Sequence, residues 1–71
     1  YSSDIALRSR LAAVYRQTGN LEKAVEQLNQ MAELQLEAGN QADALVTIRR
    51  IIALNPAEVD DYQRLLQQLS G

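Results

Sequence analysis

The 71-residue chain contains no cysteine and no histidine. The first absence removes disulfides and thiol nucleophiles. The second removes the commonest general base, and together they remove Cys/His zinc sites. Phenylalanine and tryptophan are missing too, and aromatics make up 4% of the residues. A core must therefore be built mainly from aliphatic side chains, with Tyr15 and Tyr62 as its expected aromatic members. No apolar run approaches the ~18 residues of a membrane helix. Neither a secretory signal pattern nor an initiator Met is present. Basic residues are in no excess: Lys+Arg number 7 against 9 Asp+Glu, for a net charge of -2. That balance argues against a nucleic-acid binder, which presents a basic face, and gives no support for an anionic membrane surface as partner. Lack of cysteine is compatible with a cytoplasmic location, which is the expectation here.

At this length one domain, spanning residues 1–71, is the ceiling. Domains of this size bury only about 60% of the surface their unfolded chains expose. Apolar burial then barely exceeds ordering entropy. With no covalent or metal staple, the fold must rely on helix packing, on a partner, or on a neighbouring part of a longer chain. Tyr1 opens directly into a capping sequence and Gly71 follows the last helix. The chain is expected to be a piece of a larger protein.

What is abundant is helix-forming: Ala, Leu, Gln, Glu and Arg. Ser2 or Ser3 can cap a first helix of roughly Asp4 to Thr18, with Leu7, Leu11, Val14 and Tyr15 along one face. Gly19 suits the left-handed position past a helix end, and Asn20 suits the next N-cap. A second helix of roughly Leu21 to Ala38 carries a wide stripe of Leu21, Ala24, Val25, Leu28, Met31 and Ala32, widened by Leu34 and Leu36. A helix so apolar is covered on two sides, so it is the central one. Gly39-Asn40 repeats the stop and start. A third helix runs to about Leu54 with Ala44, Leu45, Ile48, Ile51 and Ile52 inward. Asp43 near its start and Arg49-Arg50 near its end suit the helix dipole. Asn55-Pro56-Ala57-Glu58 reads as an N-cap, a first-turn proline and a capping-box carboxylate. The fourth helix then reaches about Leu69, with Val59, Tyr62, Leu65, Leu66 and Leu69 on its buried stripe. Connections this short make neighbours antiparallel, which predicts an all-α zigzag of four helices.

The segment from Gly19 to Leu28 aligns with that from Gly39 to Ile48: Gly-Asn, three residues, Ala, aliphatic, two residues, aliphatic. Small Ala24 and Ala44 let the preceding helix approach just after each turn. Internal repetition with tight turns marks repeat architectures. The pattern resembles the tetratricopeptide repeat family. One whole repeat runs from Val25 to Glu58, on Leu28, Met31-Ala32, Gly39-Asn40, Ala44, Ile48, Ile51 and Pro56. A partial repeat precedes it on Leu11-Ala12, Tyr15, Gly19-Asn20, Ala24 and Leu28. Another follows on Tyr62, Leu65-Leu66 and Leu69. Gly19 and Gly39 stand 20 residues apart, where the family spaces equivalent turns by about 34. Helix two thus doubles as second helix of one repeat and first of the next. Gln35 stands where the family places an aromatic, and Arg8 where a large apolar residue is common.

The resemblance implies a fragment of a right-handed α–α superhelix that binds a peptide of another protein on its concave face. Carried over by position, the candidate partner-binding residues are Ser9, Ala13 and Arg16 on helix one, Glu26, Asn29 and Glu33 on helix two, and Gln63 and Gln67 on helix four. Members that clamp a terminal carboxylate carry Lys and Asn along this face. Ser9 and Ala13 stand there instead, so carboxylate capture is not expected. Glu22, Glu26, Glu33 and Glu37 offer a solvated face or an acidic partner surface. The four helices carry about +2, -3, +1 and -2, an alternation that lets neighbours attract each other weakly.

No catalytic constellation, cofactor motif or metal-ligand set is recognisable, so no enzyme is expected. Ser and Thr lack a base partner, no glycine-rich phosphate loop occurs, and Asp60-Asp61 point apart on a helix. The expected function is a scaffold for protein binding. The alternative is self-assembly: Ile5, Leu7, Leu65, Leu66 and Leu69 on the end helices pair two copies into a homodimer.

Overall fold

The computed structural model describes residues 2–70, without the side chains of Ser2 and Ser3. Tyr1 and Gly71, and any capping by Ser2 or Ser3, lie outside what is described. Four helices follow one another: α1 (Ser2–Gln17), α2 (Leu21–Glu37), α3 (Gln41–Ala53) and α4 (Val59–Ser70). The fold is all-α, and each helix packs on its neighbours in sequence. Side-chain contacts mirror each other about the first turn. Near it, the Lys23 ammonium lies 5.8 Å from the Tyr15 ring centroid, while further away Arg8 donates to Gln27 at 3.1 Å and also to Gln30. Such mirroring is the signature of antiparallel helices.

The first two turns have one backbone. Gly19 and Gly39 take φ of 81° and 79°, where a Cβ is penalised. Each turn closes its helix with two reaching-back amides. Gly19 donates to Arg16 at 3.2 Å and Asn20 to Tyr15 at 2.7 Å; Gly39 donates to Leu36 at 3.1 Å and Asn40 to Gln35 at 2.8 Å. The carbonyls of Asn20 and Asn40 then accept the first bonds of the next helices, from Ala24 and Ala44. Both asparagines sit at N-cap positions, but neither side chain makes a capping bond. The side-chain capping expected of them is therefore not made, and their backbone amides and carbonyls alone join the two helices.

The third connection differs from expectation. Asn55 is not the N-cap of α4. It has φ of 54° and closes α3, its amide donating to Ile52 at 2.9 Å. Pro56 has no N–H for a second reaching-back bond. The chain instead turns from Pro56 to Val59, whose amide meets the Pro56 carbonyl at 3.1 Å. Thus α4 begins at Val59 rather than in the proline turn.

The core is narrow and small-residue rich. Ala24, Ala44, Ile48 and Ile51 are fully buried, with Ala12, Leu28, Met31 and Ala32 almost so. Ala12, Leu28, Met31 and Ile51 pack together, flanked by Ile5, Val25, Leu54 and Tyr62. Leu7 and Val14 of α1 are instead exposed, at 54% and 52%. The face of α1 that turns inward carries Ile5, Arg8 and Ala12, because small Ala12 lets α2 come close and the Arg8 head finds the two glutamines. Gln35 is buried and accepts the Thr47 hydroxyl at 2.6 Å. The Asp43 carbonyl, 3.1 Å from that hydroxyl, is its other acceptor.

The alternating helix charges are not used as ion pairs. Among the described residues the salt bridge found is Arg64–Asp61, within α4 at 4.0 Å and well exposed. Between helices the arginines reach neutral partners instead, as Arg8 does and as Arg50 does with the Ser9 hydroxyl at 3.3 Å.

Candidate functional site

The late start of α4 opens a groove of about 590 Å³ between α2 and the α3–α4 connection. One face of α2 forms its first wall with Leu21, Glu22, Val25, Glu26 and Asn29. These positions recur at helical spacing, so they stack along one side of the helix. Leu54, Asn55, Pro56, Ala57 and Glu58 form the opposite wall, and Tyr62 closes it from α4. Val25, Leu54 and Tyr62 also pack on the central cluster, so the apolar wall is anchored to the core. Pro56 fixes the backbone of the connection, and Asn55 holds its bend.

The polar groups of this groove have one sign. Glu22, Glu26 and Glu58 line it, with no lysine or arginine among the lining residues. Burial raises the Tyr62 phenol above its ordinary pKa, and the negative charges of Glu58, Glu33 and Asp61 raise it further. The hydroxyl therefore keeps its proton at neutral pH and remains a hydrogen-bond donor.

A second, smaller groove of about 270 Å³ lies between α1 and α3, with Leu28 of α2 at its base. Ala12, Ala13 and Arg16 face Arg50, Ala53 and Leu54 across it. Its charged residues are both basic. Leu54 contributes to both grooves and stands between them.

The eight residues carried over from the repeat pattern fall in three places. Glu26 and Asn29 line the larger groove. Glu33, further along α2, is exposed and close enough to act on Tyr62. Ala13 and Arg16 line the smaller groove, and Ser9 of α1 is half-buried and bonded to Arg50. Gln63 and Gln67 are exposed on α4 and line neither groove. Zigzag packing separates them, because α1 looks across to α3 while α2 looks across to α4. Sequence reasoning missed Tyr62 and the Leu54–Glu58 segment as groove residues. Tyr62 falls on an apolar stripe and reads as core, although its polar tip was a signal that one end stays wet.

Comparison with known proteins finds no matching family model, no similar curated protein and no similar solved structure. Among the described residues no cluster of acidic or sulfur- and imidazole-bearing side chains is arranged to hold a metal ion, and no helix is long and apolar enough to cross a membrane.

Proposed function

We propose that this chain is a helical-repeat interaction module, of the tetratricopeptide type its turns resemble, that seats a segment of a partner protein without chemistry of its own. The observation that carries this reading is the α2–α4 groove. It has the size range of ligand sites, an apolar wall tied to the core, and polar groups along its edge. The Gly-Asn turns and the alanines behind them support the repeat assignment, and the 20-residue spacing that makes α2 serve two repeats departs from it.

The test is selection of short peptides on the immobilised chain, followed by amide shift mapping with the strongest binder. Shifts should concentrate on Leu21–Asn29 and Leu54–Tyr62. Shifts confined to α1 and α3 would remove the groove from the proposal.

A second reading is self-assembly. It is favoured by α4, none of whose residues is fully buried, and by the exposed Leu7 and Val14 on α1. Leu65, Leu66 and Leu69 are half-buried on α4, and Ile5 of α1, also half-buried, packs partly on the core. Light scattering over a concentration series separates the two. A constant mass of 7.9 kDa supports the module; a mass that doubles with concentration moves the function to assembly.

A further inference from the structure

The two grooves differ in sign, although the chain as a whole is close to neutral. Carboxylates of Glu22, Glu26 and Glu58 edge the larger groove, and the guanidinium groups of Arg16 and Arg50 edge the smaller one. Charge is thus sorted between the two grooves. None of the three glutamates is held by an internal cation among the described residues, where the salt bridge found lies on α4 between Arg64 and Asp61. The groove's own arginines and lysines do not exist to neutralise it, because its lining has none.

Resting on the module reading, we propose that the occupant of the α2–α4 groove is a cationic segment of a partner protein, in which arginine or lysine alternates with aliphatic residues. The aliphatic side chains lie on Val25, Leu54, Pro56 and Ala57. The cationic heads meet Glu26 from α2 and Glu58 from the connection. Tyr62 lines the same groove, and an aromatic ring there suits a guanidinium partner through cation–π attraction. The Tyr62 hydroxyl is protonated at neutral pH, as an ordinary phenol is, and remains a hydrogen-bond donor. The wall from Leu21 to Asn29 is about 12 Å long at helical rise, which an extended segment crosses in about four residues. Charge complementarity of this kind sets partner choice and encounter rate more than raw affinity. An acidic segment is disfavoured on this side, since it would bring like charges together.

The test uses three labelled synthetic peptides of equal length, alternating leucine with arginine, glutamine or glutamate, and reads fluorescence anisotropy against the full chain. The arginine peptide should bind saturably and most tightly, and lose affinity at high salt. Glu26→Gln with Glu58→Gln should weaken it by about tenfold, from two- to fivefold per exposed carboxylate. Asp4→Asn with Glu37→Gln removes the same charge from outside the groove and should leave binding nearly unchanged. Circular dichroism confirms that each variant is folded. Equal weakening by both charge pairs would mean diffuse attraction to an acidic protein, and the proposal falls. Equally tight glutamine-peptide binding, with amide shifts at Leu21–Asn29, overturns the cationic preference while the groove reading stands. If no peptide shifts those amides, the module reading falls with it.

Discussion

The turns at Gly19-Asn20 and Gly39-Asn40 and the turn at Asn55-Pro56 do the same job by different means. In the first two, one asparagine closes a helix with its amide and opens the next with its carbonyl. Residues 18–20 and 38–40 are then enough to reverse the chain, and α2 packs against both α1 and α3. At the third, proline supplies no amide for the second closing bond, so the helix stop and the helix start cannot share a residue. The chain makes a further turn before α4 begins. Burial follows the turns. The fully buried side chains lie in α2 and α3, and α4 has none. The tight turns bracket the best-buried helix, and the looser one supplies a wall of the larger groove.

The largest expected effect sets the sealed region against the open one. Ile51→Ala removes a fully buried side chain from α3 and should cost about 2–5 kcal/mol. Leu65→Ala on half-buried α4 should cost about 1 kcal/mol, a fraction of full apolar burial. Chemical denaturation measures both. If Ile51→Ala leaves too little folded protein, Ile51→Val serves, at about 0.5–1.5 kcal/mol. Equal losses at the two sites would make α4 as integral as α3, and the contrast would collapse.

The next effect is overpacking. Ala44 is fully buried just after the second turn, and Ala44→Leu should cost about 1–3 kcal/mol. Ala57 is exposed on the looser connection, so Ala57→Leu should leave the melting temperature nearly unchanged. A tolerated Ala44→Leu would show that the helices behind the Gly-Asn turn are not in close contact.

Much of this architecture is legible in the residues. Four helices, their order and the two glycine turns follow from hydrophobic period and left-handed stop signals, both local properties. The inward face of α1 is legible only in part: of the expected stripe Leu11 and Tyr15 are half-buried, whereas Leu7 and Val14 are exposed and Ile5, Arg8 and Ala12 turn inward. Which stripe is buried depends on how closely α2 can approach, and small Ala12 decides that. Local pattern also misplaces Asn55. Before a proline it fits an N-cap, but asparagine tolerates φ > 0 as well, and tertiary context selects the second use. The groove was half-visible: Glu26 and Asn29 come from the repeat pattern, whereas Tyr62 and Glu58 join them only through the position of the third turn. The opposite sign of the two grooves is hidden in the net charge, which averages over both sides, but it follows the alternation of charge by helix once α1 is known to face α3 and α2 to face α4.

Backbone chemistry at the turns gives a smaller effect. Gly39→Val places a β-branched residue at φ of 79°, and no atom lies within 4 Å of the added Cβ. The loss, about 1–2 kcal/mol, therefore measures left-handed strain alone. Gly19→Val should match it, since the two turns share one geometry. A marked difference between the two would mean that they are not equivalent stops.

The smallest effect is the sharpest test of how the third turn works. Asn55 occupies the left-handed region with φ of 54°, whereas Asn20 sits at φ of -91°. Glycine at position 55 relieves residual strain and gives back part of the gain as unfolded-chain entropy. Asn55→Gly should therefore be neutral or stabilising by a few tenths of a kcal/mol, and Asn55→Ala destabilising by about 1 kcal/mol. Asn20→Gly has no strain to relieve and makes no side-chain capping bond to lose, so it should destabilise by a few tenths through entropy alone. Thermal denaturation of the three variants reads the signs. Opposite signs for Asn55→Gly and Asn20→Gly mean that asparagine ends a helix at one position and begins one at the other. A loss of about 1 kcal/mol from Asn55→Gly would instead restore Asn55 as a side-chain cap of α4. The groove wall would then be held by that side chain rather than by the bend in its backbone.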